Sequence, residues 1–84
     1  MTYSIEILRP AQKQLSKISR KDQARIIVAI RSLAKNPRPA ACRKLSGRPV
    51  WRIRIGSYRV IYDIDNDKIL VTVIAIGHRR EIYR

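Results

Sequence analysis

The hydrophobic and polar positions of this chain change period along its length, and each change marks an element. Over residues 2–8, Tyr3, Ile5 and Ile7 alternate with Ser4 and Glu6, the period of two that a half-buried strand requires. Pro10 follows, where a first helical turn tolerates a missing amide donor. Ala11, Leu15 and Ile18 then recur at helical spacing among Lys13, Gln14 and Lys17, which predicts a short amphipathic helix ending near Ser19. Ser19, with Asp22 three residues on, resembles a capping box with Asp in place of Glu. Ile26, Ile27, Ile30, Leu33 and Ala34 form the apolar stripe of a second, longer helix. Asn36-Pro37-Arg38-Pro39 stops it, because each proline lacks a donor and disfavours helix in the residue before it.

From residue 50 to residue 63 the period returns to two. Trp51, Ile53 and Ile55 alternate with Arg52 and Arg54, and Tyr58, Val60 and Tyr62 alternate with Arg59 and Ile61. The two-residue loop Gly56-Ser57, glycine first, fits a type II′ hairpin turn. That register pairs Ile55 with Tyr58, Arg54 with Arg59, Ile53 with Val60 and Trp51 with Tyr62. One face of the hairpin is then apolar and aromatic, so Trp51, Tyr58 and Tyr62 belong to the core; the other face carries Arg52, Arg54 and Arg59. Asp65-Asn66-Asp67 makes a second turn, and its carboxylates have local hydrogen-bonding work there. Residues 69–76 are a nearly unbroken apolar run, as in an interior strand covered on both sides, ended by Gly77. Ile82 and Tyr83 suit either a last short strand or a tail folded on the sheet. The expected architecture is α+β: an N-terminal strand, a helical hairpin, then an antiparallel meander of three to four strands, as a single domain over residues 1–84.

Composition adds a partner to this picture. Nineteen Lys and Arg against 6 Asp and Glu give a formal charge of +13, while a hydrophobic content of 45% is too high for a disordered basic tail. The chain is therefore expected to fold and to meet a polyanion or an acidic protein. The cations concentrate where no acid answers them: Arg43, Lys44, Arg48, Arg52, Arg54 and Arg59 precede Tyr62 with no Asp or Glu between. Arg54 and Arg59, directly opposed on a sheet, repel each other, and phosphate is the natural ligand for such a cluster because the guanidinium fork clamps its oxygens. A second group, Gly77-His78-Arg79-Arg80-Glu81-Ile82-Tyr83-Arg84, sets the one histidine and a tyrosine among further cations. With one His and one Cys, and with no phosphate loop of the GxxxxGK[ST] kind, neither a metal nor a nucleotide cofactor is expected. Cys42, alone, is expected as a packing residue in a reducing compartment. The start of the chain has no secretory pattern and no run approaches the ~20 apolar residues of a membrane span, so the expected location is cytoplasmic, away from membranes.

Three motifs in order, Lys44-Leu45-Ser46-Gly47, then residues 51–55 with 58–62, then residues 77–83, resemble the RelE/ParE superfamily of toxins from type II toxin–antitoxin systems. The likeness covers essentially the whole chain. It implies a toxin that binds the ribosomal decoding site and cuts messenger RNA without a metal, and a co-expressed, RelB-like acidic antitoxin that wraps the basic surface. It places a RelE-like catalytic set on Arg52, Arg54, Arg59, Arg79 and Tyr83, with Lys44, Arg48, His78 and Arg80 as substrate-binding residues. The archetypal member has lysine at the first two positions; arginine keeps the charge but does not exchange protons, so the expected role of Arg52 and Arg54 is electrostatic. Tyr83 is the expected general base and His78 its rival. ParE-type members of the same superfamily act on DNA gyrase instead, which leaves gyrase inhibition without nuclease activity as the alternative.

Overall fold

The computed structural model describes residues 2–47 and 49–78. Its elements are β1 (Ser4–Ile7), α1 (Arg9–Ser16), α2 (Arg20–Ser32), β2 (Arg43–Lys44), β3 (Trp51–Ile55), β4 (Tyr58–Asp65) and β5 (Leu70–His78). The strands form one sheet in the order β1-β5-β4-β3-β2. β2 to β5 are the expected antiparallel meander, four strands long, and β1 is added in parallel beside β5. The fourth meander strand is the two-residue β2 at the start of the run, too short to show any periodicity. The alternatives left open for Ile82 and Tyr83 fall outside the described residues.

Local chemistry sets the element ends. Pro10 occupies the first turn of α1, as its missing donor allows. α1 stops at Ser16, earlier than its apolar spacing suggested, because Ser19 is already the N-cap of α2, accepting a hydrogen bond from the Asp22 amide at 3.4 Å. The hairpin pairs Ile55 with Tyr58, Arg54 with Arg59, Ile53 with Val60 and Trp51 with Tyr62, the register its turn predicts. Gly56 has φ +60°, the left-handed first position of a type II′ turn, and a Cβ there would meet the Arg25 guanidinium at 3.4 Å.

The helices cover one face of the sheet. Ala11, Ile26, Ile30 and Leu33 pack on Ile53, Val60, Tyr62, Val71, Val73 and Ile76, with Trp51, Tyr58 and Cys42 partly buried against them. Tyr62 lies fully inside, and its hydroxyl donates to the Pro37 carbonyl oxygen at 2.7 Å, which ties the strand to the segment that ends the helical hairpin. Burial, reinforced by the neighbouring Cys42, pushes its phenol well above the ordinary tyrosine range.

β5 is interior in the sheet, yet neither α1 nor α2 covers its second face: Leu70, Thr72, Ile74 and Ala75 are only half-buried. Its continuous apolar run has another cause. The β4–β5 register slips between Ile61 and Tyr62, so that Ile61 faces Ala75 while Tyr62 faces Val73. Ile74 is the extra residue of this bulge, and the slip lets Val73 and Ile76, an odd number of residues apart, both reach the core. At the β4–β5 turn Asp65 Oδ1 accepts from the amides of Asp67 and Lys68, each at 3.0 Å. Ile69 closes that turn with φ +52°, an unusual conformation for a β-branched residue, and its carbonyl receives the Ser4 amide at 2.9 Å.

Candidate functional site

The strand pairings assemble the cations that the sequence leaves without local acids. On the face away from the core, Arg54 of β3 stands opposite Arg59 of β4, which stands opposite Gly77 of β5. One row along the sheet, Arg43 of β2 faces Arg52 of β3, which faces Ile61 of β4. Directly opposed Cα atoms in antiparallel pairs are roughly 4.5–5.5 Å apart, so four guanidiniums share an area two residues deep and three strands wide. Arg43 and Arg54 are exposed and Arg52 is half-buried, but Arg59 retains only 4% of its surface. An arginine seldom reaches that burial, and a fixed cation of low solvation exerts a stronger field than one in water. Asp63, one residue beyond the acid-free stretch, comes up on the same face diagonal to Arg52, facing Thr72.

The other nominated residues divide. Lys44 faces Trp51 and His78 faces Tyr58, which puts both on the helix side of the sheet, opposite the arginines. The His78 ring meets Tyr58 edge-to-face, centroids 5.8 Å apart at 81°. Arg38, from the segment after α2, lies over the Trp51 ring at 5.2 Å, so that tryptophan is committed to core packing and a cation. Arg48, Arg79, Arg80 and Tyr83 lie outside the described residues. The sequence motifs did not nominate Arg43 as a site residue. Its signal is positional, since only the edge pairing of β2 reveals that it extends the arginine face.

Chemically, such a face holds charge and moves no protons: guanidinium stays protonated through ordinary pH and offers paired donors to phosphate oxygens. Among the described residues no three His, Cys, Asp or Glu side chains come together as a metal site. No described helix is long and apolar enough to cross a membrane.

This small α+β fold, with arginines on the sheet face away from the helices, has relatives among known proteins. The family model for ParE toxins of type II toxin–antitoxin systems, parDE, matches residues 5–83. The chain belongs to that family, and so to the RelE/ParE superfamily of type II toxin–antitoxin toxins. Toxin RelG of Mycobacterium tuberculosis is 29% identical over 89 aligned positions, covering 100% of this chain and 99% of the relative. The archaeal RelE–RelB complex from Pyrococcus horikoshii superimposes with TM-score 0.85 at 25% identity, over 96% of this chain and 99% of that one. A mutant form of E. coli toxin RelE in the free state gives TM-score 0.83 at 26% identity, over 98% and 90%.

Proposed function

We propose that this toxin is a ribosome-dependent, metal-independent endoribonuclease that cuts messenger RNA in the decoding site and so inhibits translation. The observation that carries the reading is the array of Arg52, Arg54 and Arg59 on one sheet face, with Arg59 buried at its β5 end. In the proposed step the ribose 2′-oxygen attacks the adjacent phosphorus, the bond to the 5′-oxygen breaks, and the products are a 2′,3′-cyclic phosphate and a free 5′-hydroxyl. A base takes the proton from the 2′-hydroxyl and an acid returns one to the leaving oxygen. Arg59 and Arg79 stabilise the phosphorane, and Arg52 and Arg54 hold the phosphate. Each donor aimed at the developing charge is worth on the order of 10²- to 10³-fold in rate. His78 faces away from Arg59, which favours Tyr83 as the base. Lys44, on the same side as His78, then serves flanking RNA rather than the scissile phosphate.

The net charge of +13 and the RelE–RelB complex of the archaeal relative support a RelB-like acidic antitoxin as partner in the cytoplasm. The test is in vitro translation of a defined messenger with 5′ ends mapped by primer extension. Cuts at ribosome-occupied codons, absent on naked RNA, support the reading. The matching family model carries the ParE name, which keeps gyrase inhibition as the second reading. A folded, antitoxin-free toxin that leaves messenger intact and blocks DNA supercoiling decides for it.

A further inference from the structure

A concavity lies at the Arg59–Gly77 end of the sheet, on its helix side. It encloses about 560 Å³, with Lys17 and Ile18 on one wall and Tyr58, Ile76, Gly77 and His78 on the other. That volume is ample for a small ligand, for which sites run roughly 300–1,000 Å³. We propose that this cleft is a nucleotide subsite, taking the base of a nucleotide that flanks the cut against the Tyr58–His78 rings and its phosphate on Lys17. The inference rests on the reading that the substrate is RNA.

Three features point to a nucleotide. The first is planarity: the exposed His78 ring, set edge-to-face on Tyr58, offers an aromatic surface to a third planar group, and the half-buried Ile18 supplies an apolar wall. The second is charge. Between Glu6 and Asp22 the chain has no acid, while Arg9, Lys13, Lys17, Arg20 and Lys21 are all exposed cations. The third is place. The Tyr58–His78 pair is the row next to Arg59–Gly77, so the cleft and the buried arginine are adjacent residues on opposite faces of one sheet end. A single strand rounding that end passes from one to the other within a couple of nucleotides.

Hydrogen bonds anchor the β5 wall. β1 accompanies β5 only as far as Val73, whose carbonyl accepts the Leu8 amide at 3.0 Å. Beyond it the edge of β5 faces α1, and Gln14 Oε1 accepts the Ile76 amide at 2.8 Å, replacing the missing strand at the one point where the cleft needs a fixed wall.

The experiment is an NMR titration of the full-length, antitoxin-free toxin with a trinucleotide RNA carrying 2′-O-methyl groups throughout, so that no attacking hydroxyl is present. Signals of Ile18, Gly77 and His78 are expected to shift saturably. Affinity is expected to fall roughly five- to a hundredfold in His78→Ala, the worth of one base–aromatic stack. Lys17→Ala is expected to lower the salt slope of binding by about one. Both side chains are exposed, and the amide spectrum of each variant verifies its fold. Shifts confined to residues of the arginine face, or unchanged affinity in both variants, overturn the subsite, as do shifts produced by an acidic peptide and not by the RNA. The two readings fail separately: a toxin that binds the trinucleotide in the cleft but never cuts on ribosomes loses the nuclease and keeps the subsite.

Discussion

Arg54→Gln is expected to make the protein more stable and less active. Arg54 and Arg59 are directly opposed on β3 and β4. With guanidiniums about 6 Å apart, Coulomb repulsion is roughly 0.7 kcal/mol at a dielectric of 80 and roughly 2.8 kcal/mol at 20. Arg54 is exposed, which favours the low end, and glutamine keeps most of the side chain's packing. The expected gain is therefore about 0.5–1 kcal/mol in low salt, or roughly 3–6 °C in melting temperature for a domain of this size. At 1 M salt, where the screening length is about 3 Å, the gain should vanish. Urea unfolding followed by circular dichroism at both salt concentrations measures it. In the translation assay the same variant should lose on the order of tenfold or more in cleavage, because a phosphate clamp is gone. A variant that is less stable than the parent in low salt, or whose gain survives high salt, refutes the argument that Arg54 and Arg59 repel each other across the two strands.

Tyr62→Phe removes the donor to the buried Pro37 carbonyl and should cost about 1–3 kcal/mol in urea unfolding. Because burial raises the folded-state phenol above the 10.0 of an exposed tyrosine, the unfolded chain ionises first; the wild type should lose stability as pH rises above 10.0, and Tyr62→Phe should lose less over that window. Ile69→Asn, at φ +52°, trades a half-buried aliphatic group for a residue suited to that backbone and should be neutral or stabilising by up to about 1 kcal/mol, as chemical denaturation will show. Tyr83→Phe should abolish cleavage while ribosome co-sedimentation persists; wild-type cutting by this variant removes Tyr83 as the base.

What could be read from the sequence is what short-range chemistry decides. A two-residue turn beginning with glycine leaves one register, so the opposition of Arg54 and Arg59 followed from Gly56-Ser57 alone. The Ser19 cap and the proline stop were legible for the same reason. Three things were hidden. β2 has two residues, and two residues carry no period. The parallel pairing of β1 with β5 joins Ser4 to Leu70, and no local pattern encodes a contact across that separation. The bulge at Ile74 sits in a run where every residue is apolar or nearly so, so the pattern does not show that the alternation has shifted by one. Everything after it changes face, so His78, grouped with the arginines by sequence neighbourhood and by the family resemblance, stands behind them.

The parallel β1 also sets an order of events during synthesis. Residues 4–7 leave the ribosome early but have no partner until residues 70–73 follow, so the sheet closes only when nearly all of these elements have been made. Closing a loop of that length costs entropy before any contact repays it, and topologies dominated by such distant pairings fold slowly. The helical hairpin and strands β2 to β4 can form first, but the core stays open where Ile5 and Ile7 await Val71 and Val73. A nascent chain of this protein thus carries an unclosed sheet, with β1 unpaired, until residues 70–73 have been made.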